Sequence, residues 1–264
     1  AIASSLAMKP KCIVLDEPTA MLDPQGRKKV MDIIKSLNEN ENITVILITH
    51  HMNEAIMAKK VVVIDDGKIA LQGTPREVFS NVEQIKKLKL DMPQIMELSY
   101  ELYKCGKFGR YDILTIDEFV KEIEEIGNSQ NGKDIADKED AKDKEDANDI
   151  EDTEDTRNKS IEPILSLKNV SLKYEENTSM EVKALDDISL DIYNDEFIGI
   201  IGHTGSGKSS LVQVMNGLIK ANGGEVTYKG ENIQDKSFDK KRLHLDVGLV
   251  FQYPESQLFE ETVL

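Results

Sequence analysis

The sequence has no apolar run approaching the roughly 20 residues that a membrane-spanning helix needs, so a soluble chain is expected. Its opening, Ala1-Ile2-Ala3-Ser4-Ser5-Leu6-Ala7, lacks both an initiating Met and the basic front of a signal peptide, and the reading expects a chain that starts inside a longer one. Basic charge is in deficit. Lys and Arg number 33 against 49 Asp and Glu, for a net charge of −16, which excludes a general nucleic-acid binder because phosphate backbones select basic surfaces. Cysteine is scarce too: Cys12 sits in an apolar strand and Cys105 near a helix end, which excludes a disulfide framework or a cysteine metal site and makes a reducing cytoplasm the default. What remains is a chain of 264 residues, 39% hydrophobic, enough for one or two domains with a core of ordinary size.

Apolar runs at 12–15, 43–48 and 61–64 alternate with a helical pattern at 24–38, where Val30, Ile33, Ile34 and Leu37 share one face. Such alternation predicts an α/β fold with a largely parallel, buried sheet. Pro24 suits a first helical turn, and Asp65-Asp66-Gly67-Lys68 reads as a hairpin turn into a strand at 69–72. Beyond Thr74-Pro75 the pattern becomes helical, with helices expected at 76–79, 82–88, 93–104 and 116–126, the last capped by Thr115 with Glu118 at capping-box spacing. From 128 to about 160 the chain turns Asp-, Glu-, Lys- and Asn-rich, and Asp137-Lys138-Glu139-Asp140-Ala141 recurs as Asp143-Lys144-Glu145-Asp146-Ala147. That composition cannot repay chain ordering, so a disordered tether is expected, with a span of roughly 30 Å as a coil. Strands are then expected at 165–172, 184–192, 197–201 and 247–251, with a helix at 207–219. The domain reading is 1–80 for a first α/β piece, 81–127 for a helical appendage, 128–162 for the linker and 163–264 for a second α/β piece.

Chemistry concentrates at strand ends. Gly202-His203-Thr204-Gly205-Ser206-Gly207-Lys208-Ser209 lies between an apolar strand and an apolar helix. The glycines let backbone N–H groups converge on a phosphate, Lys208 neutralises phosphate charge and the Ser209 hydroxyl is a ligand for Mg2+. Asp16 and Glu17 end the first apolar strand, where Asp16 would hold the magnesium shell and Glu17 would polarise an attacking water; such a pair also caps helices. Thr49-His50 ends the next strand and offers an imidazole to a terminal phosphate, although a lone His is more often structural. Gln252 ends the last strand, where its amide oxygen can face Mg2+ or the attacking water; taken alone, such a Gln is usually a surface residue.

The run from Leu15-Asp16-Glu17-Pro18 through Leu22-Asp23-Pro24 resembles the Walker B strand and D-loop of ATP-binding-cassette (ABC) ATPases, and Ile48-Thr49-His50 resembles their H-switch. Residues 202–209, with Ser210 following, resemble Walker A, Val250-Phe251-Gln252 the Q-loop, and Tyr174 the aromatic that stacks on adenine. A narrower resemblance, carried by 201–208, 248–255, 257–260 and Pro93-Gln94-Ile95, is to the paired ATPases of energy-coupling factor (ECF) transporters. Ser210 stands where Thr is commoner and His51 where Asp is commoner. The resemblance implies a P-loop nucleotide-binding fold and ATP with Mg2+ as ligands. It further implies ATP hydrolysis driving uptake of vitamins or transition-metal ions, with a second ATPase domain and transmembrane scaffold and substrate-binding subunits as partners. The location it implies is peripheral, on the cytoplasmic face of the membrane.

The motifs come in reversed order, carboxylates before phosphate loop, so the chain reads as the C-terminal part of one ATPase joined to the N-terminal part of a second. No Leu-Ser-Gly-Gly-Gln signature occurs, and the isolated chain is expected to lack turnover. In the intact tandem, Glu17 and Lys208 would serve different ATP sites. Within this chain the two parts are complementary, and one circularly permuted P-loop core is expected, with Asp16, Glu17, His50 and Lys208 together. The alternatives are a soluble tandem ABC protein acting on ribosomes and a nucleotide binder without turnover.

Overall fold

The structure, a computed structural model, describes residues 2–131, 162–175 and 181–252. Most of the expected tether and the ECF-like segment 257–260 lie outside the described residues. In chain order the first part comprises α1 (Ile2–Ala7), β1 (Cys12–Asp16), α2 (Pro24–Glu41), β2 (Thr44–Ile48), α3 (Met52–Ala55), β3 (Lys60–Asp65) and β4 (Lys68–Gly73). The appendage comprises α4 (Pro75–Ser80), α5 (Val82–Lys87), α6 (Gln94–Lys104) and α7 (Ile116–Asn131). The second part comprises β5 (Leu165–Tyr174), β6 (Val182–Ile192), β7 (Phe197–Ile201), α8 (Lys208–Met215), β8 (Gly223–Tyr228), β9 (Glu231–Asn232), α9 (Lys240–Asp246) and β10 (Val247–Val250).

Local chemistry accounts for the element ends. Asp23 caps α2 by accepting from the Gly26 N–H at 2.8 Å, and Pro24 occupies the first turn, where its missing N–H costs nothing. The helix runs on past the expected 38 until Asn42, which tolerates φ 53 and closes it with a bond to the Leu37 carbonyl. Helix α8 is shorter than expected because Gly217 adopts φ 67 just beyond its end. Thr74 and Glu77 cap α4 reciprocally. At α7, Thr115 accepts from the Glu118 N–H as expected, but the Glu118 carboxylate returns to the Leu114 N–H and to Arg76 at 2.7 Å. Helix α7 also extends to Asn131, into the stretch read from sequence as linker.

The central sheet has the order β10-β1-β2-β7-β3-β4 and is parallel except for β4. Two of its strands come from the second part: β7 is interleaved between β2 and β3 of the first, and β10 adds to the edge beside β1. The single parallel sheet expected from sequence is incomplete as a description: β6-β5-β8-β9 form a separate antiparallel sheet. The two sheets face each other. Cys12, Val14, Ile46, Ile48, Ile198 and Ile200 pack with Leu165, Leu190, Tyr228 and α8 residues such as Leu211. Their neighbours along each strand, Ile13, Leu15, Val45 and Leu47, point the other way onto Met31 and Ile34 of α2, as the two-residue strand period requires. The appendage has its own cluster, in which Phe79, Ile85 and Met96 pack under Val61 and Val63 of β3.

Interleaving has a physical reason. Strand β7 offers Phe197, Ile198, Ile200 and Ile201, all buried between β2 and β3. Burial at about 1.5–3 kcal/mol per large apolar side chain makes their gross contribution roughly 6–12 kcal/mol. Closing a loop of some 33 residues costs about 3 kcal/mol beyond a constant, so burial outweighs the tether.

Candidate active site

In a parallel sheet every strand ends on the same edge, and ligands bind there. Asp16 and Glu17 end β1, Thr49 and His50 follow β2, the 202–207 loop follows β7, and Gln252 lies two residues beyond β10. Because β10, β1, β2 and β7 are neighbours, these groups meet around one cavity of about 740 Å³. Glu17, His50, Tyr174, Lys208, Ser209 and Gln252 line it, together with Gly202, Thr204, Gly205, Gly207 and Ser210. Asp16 and Ser206 lie behind its wall: Asp16 is 6% exposed, and the Ser206 hydroxyl is buried without a hydrogen-bond partner among the described residues.

The phosphate loop is held by backbone geometry that only glycine allows. At Gly202 a Cβ would stand 2.3 Å from the Ile64 carbonyl oxygen, and at Gly207, with φ 108, it would stand 2.5 Å from that of Ala184. The β3–β4 turn of the first part docks on the loop: the Gly67 N–H donates to the Ser206 carbonyl at 2.9 Å, and Asp65 meets His203 Nε2 at 2.9 Å. Lys208 Nζ donates to the carbonyls of Gly202 and His203, both at 2.8 Å. Burial pushes its pKa below the usual lysine value, against the opposing pull of Glu17 and Asp16. An amine so desolvated gains most from an anion.

Burial also raises the Asp16 carboxyl, with Glu17 adding to the rise, while a hydrogen bond from the Ser209 side chain and the charge of Lys208 oppose it. The contact brings the buried Asp16 carboxylate and the exposed Ser209 hydroxyl oxygen together at the cavity wall, a donor set of the oxygen type that suits Mg2+. Glu17 takes φ 49, strained for a residue with a side chain, and its N–H is held by the Ile48 carbonyl at 2.9 Å. Its carboxylate lies 3.3 Å from His50 Nδ1 and accepts from Gln252 Nε2 at 2.7 Å. Gln252, read from sequence as aiming its oxygen at Mg2+ or water, thus turns its amide nitrogen to Glu17. Tyr174 is partly exposed and also lines the cavity, its hydroxyl 3.2 Å from Ser210 Oγ.

Sequence reading missed two residues here. Glu54 on α3 is 3% exposed and accepts from Thr19 and Thr49, each at 2.6 Å, with Arg27 Nε 3.8 Å away. One buried carboxylate thereby ties the loop after Glu17 to the strand end before His50; its only sequence signal was a charged residue amid an apolar helical turn. Lys89, between α5 and α6, lines the same cavity and carried no motif at all. His51, whose ring is tilted 43° to that of His50 with centroids 4.0 Å apart, has its pKa lowered by burial and then by His50.

Residues 185–264 match the family model described as ABC transporter. The energy-coupling factor transporter ATP-binding protein EcfA1 of Clostridium novyi is 58% identical over 123 residues, 47% of this chain and 44% of that protein. A Caldanaerobacter subterraneus protein bearing an ABC transporter ATP-binding protein name is 34% identical over 266 residues, 100% of this chain and 43% of its own length. The solved structure of cbiO1 from Clostridium perfringens, described as part of the ABC transporter complex cbiONQ, overlaps 37% of this chain and 38% of its own, at 33% identity and a TM-score of 0.32. The chain spans less than half the length of these curated relatives. It therefore carries an ABC transporter domain over residues 185–264 and has the nucleotide-binding fold of the ABC ATPases.

Proposed function

We propose that this chain supplies the ATP-handling elements of an ECF-type transporter ATPase: the C-terminal part of one ATPase core (1–80) with its appendage (81–127), joined by the tether (128–162) to the N-terminal part of a second (163–264). The observation that carries this reading is the convergence of Lys208, Ser209, Glu17, His50 and Gln252 on one cavity at one sheet edge, with Asp16 behind its wall in contact with Ser209. The alignment running through the whole chain against less than half of a longer ABC transporter relative supports the tandem arrangement.

In this reading the 202–207 backbone and Lys208 bind the phosphates of ATP, and Tyr174 faces the adenine. Asp16, Ser209 and Gln252 are the residues that would hold Mg2+, which when bound supplies charge neutralisation on the phosphate oxygens. Glu17 orients and deprotonates the attacking water, and His50 binds the terminal phosphate while fixing Glu17 from the side. Within the intact tandem the Walker A and Walker B groups of this chain belong to different ATP sites, each completed by a partner domain's signature. The isolated chain binds MgATP through its permuted core and does not turn it over. The whole protein works with transmembrane scaffold and substrate-binding subunits at the cytoplasmic face of the membrane, driving uptake of a vitamin or a transition-metal ion. Among the described residues no helix is long and apolar enough to cross a membrane.

The test is equilibrium binding of a fluorescent ATP analogue with Mg2+ to the chain and to Lys208→Ala. Saturable binding that weakens at least about tenfold in the variant is expected, since a charge-assisted contact is lost. Equal binding by both proteins would overturn the reading.

A further inference from the structure

The cavity has a wall that no nucleotide motif accounts for. Lys89, Leu90 and Asp91, from the turn between α5 and α6, line it together with the phosphate loop. Asp91 also lines a second cavity, of about 350 Å³, with His50, His51 and Arg27. His50 lines both cavities as well, so the turn and His50 share a boundary between them.

The backbone of this turn makes Lys89 an unexpected residue. Helix α5 closes with the Leu90 N–H on the Ile85 carbonyl at 3.2 Å and the Lys89 N–H on the Lys86 carbonyl at 3.1 Å. That paired closure places its left-handed residue at position 89, where φ is 55, and glycine is the residue that takes this conformation freely. Leu90 and Met92 are buried in the appendage core, so the fold is secured by its neighbours. Lys89 itself is exposed and has no ion pair or side-chain hydrogen bond with any described residue. The other lysines lining the cavity are engaged: Lys208 on backbone carbonyls, Lys183 on Asp186 at 2.5 Å.

We propose that Lys89 is a second phosphate-binding lysine of this cavity, carried by the helical appendage and directed to the terminal phosphate of a nucleoside triphosphate. The proposal rests on the nucleotide-binding reading above. A strained, unpartnered cation facing a site for anions is the pattern expected where side-chain function outweighs backbone preference. If it contacts the third phosphate alone, it also gives the appendage a means of sensing whether that phosphate is present.

The experiment compares fluorescent ATP and ADP analogues, with Mg2+, on the chain, Lys89→Gln, Lys89→Gly and Lys89→Arg, alongside thermal melts. ATP affinity should fall by about three- to tenfold in K89Q and K89G, ADP affinity should change less than about twofold, and K89R should restore ATP binding. K89G should melt no lower than the parent, because glycine relieves the left-handed strain. Unchanged ATP binding in K89Q and K89G, or equal losses for ATP and ADP, would overturn the proposal while leaving the nucleotide reading intact. Absence of binding by the parent chain would overturn both.

Discussion

Cys12 reports on whether the two parts of the chain share one core. It is fully buried, on the face of β1 that looks toward Leu165, Leu190 and Tyr228 of the second part, with β10 alongside in register at Val247. Burial pushes its thiol up to about 12. At pH 8 an ordinary thiol near 8.5 is about one-quarter thiolate, whereas one at 12 is about one part in ten thousand, so the thiolate fraction alone slows Cys12 roughly two-thousandfold. Steric exclusion adds to this. Cys105 is exposed. An aromatic disulfide reagent at pH 8 should therefore label one thiol within the ordinary reaction time and the second only when denaturant opens the core. Two thiols reacting at comparable rates, in a sample whose circular dichroism shows it folded, would refute the interleaved sheet. In a chain whose two parts folded separately, that face of β1 would be open to water.

The sheet order makes a direct cross-link possible. Cys12 pairs with Val247, while β7 lies two strands away beyond β2, so Val247→Cys should form a disulfide with Cys12 when the denatured chain is refolded under oxidising conditions, and Ile200→Cys should not; the reverse outcome on non-reducing gels would contradict the strand order. Acid should loosen the same seam. Burial alone would raise the Asp246 carboxyl, but hydrogen bonds from Tyr228 and Lys229, and the charge of Lys11, hold it below the usual range. A depressed carboxylate stabilises the fold above its unfolded value near 4 and loses that contribution as pH falls through its folded value. Urea midpoints should accordingly drop as pH falls below about 4, and Asp246→Asn should be less stable at pH 7 by about 1 kcal/mol with a flatter acid limb; an unaltered acid limb would refute the role.

The elements with strong local signals were legible in the chain itself. The apolar runs of β1, β2 and β7, the Asp23-Pro24 start of α2, the glycines of the phosphate loop and the carboxylates after β1 each follow from short-range chemistry: burial period, capping, backbone freedom. Their convergence on one edge followed from parallel strands and complementary parts. Other features needed the folded molecule. Local pattern did not reveal the separate antiparallel sheet, because β5 and β6 alternate as any half-buried strand does and only packing decides which neighbour they take. Nor did it show that Gln252 turns to Glu17, that Glu54 ties Thr19 to Thr49, or that Lys89 lines the same cavity as Lys208, since each depends on elements distant in sequence. The sequence by itself determined which residues are the candidates for phosphate chemistry. The tertiary structure decided which of them share a cavity, because β7 finds its place between β2 and β3 through long-range burial that no local preference encodes.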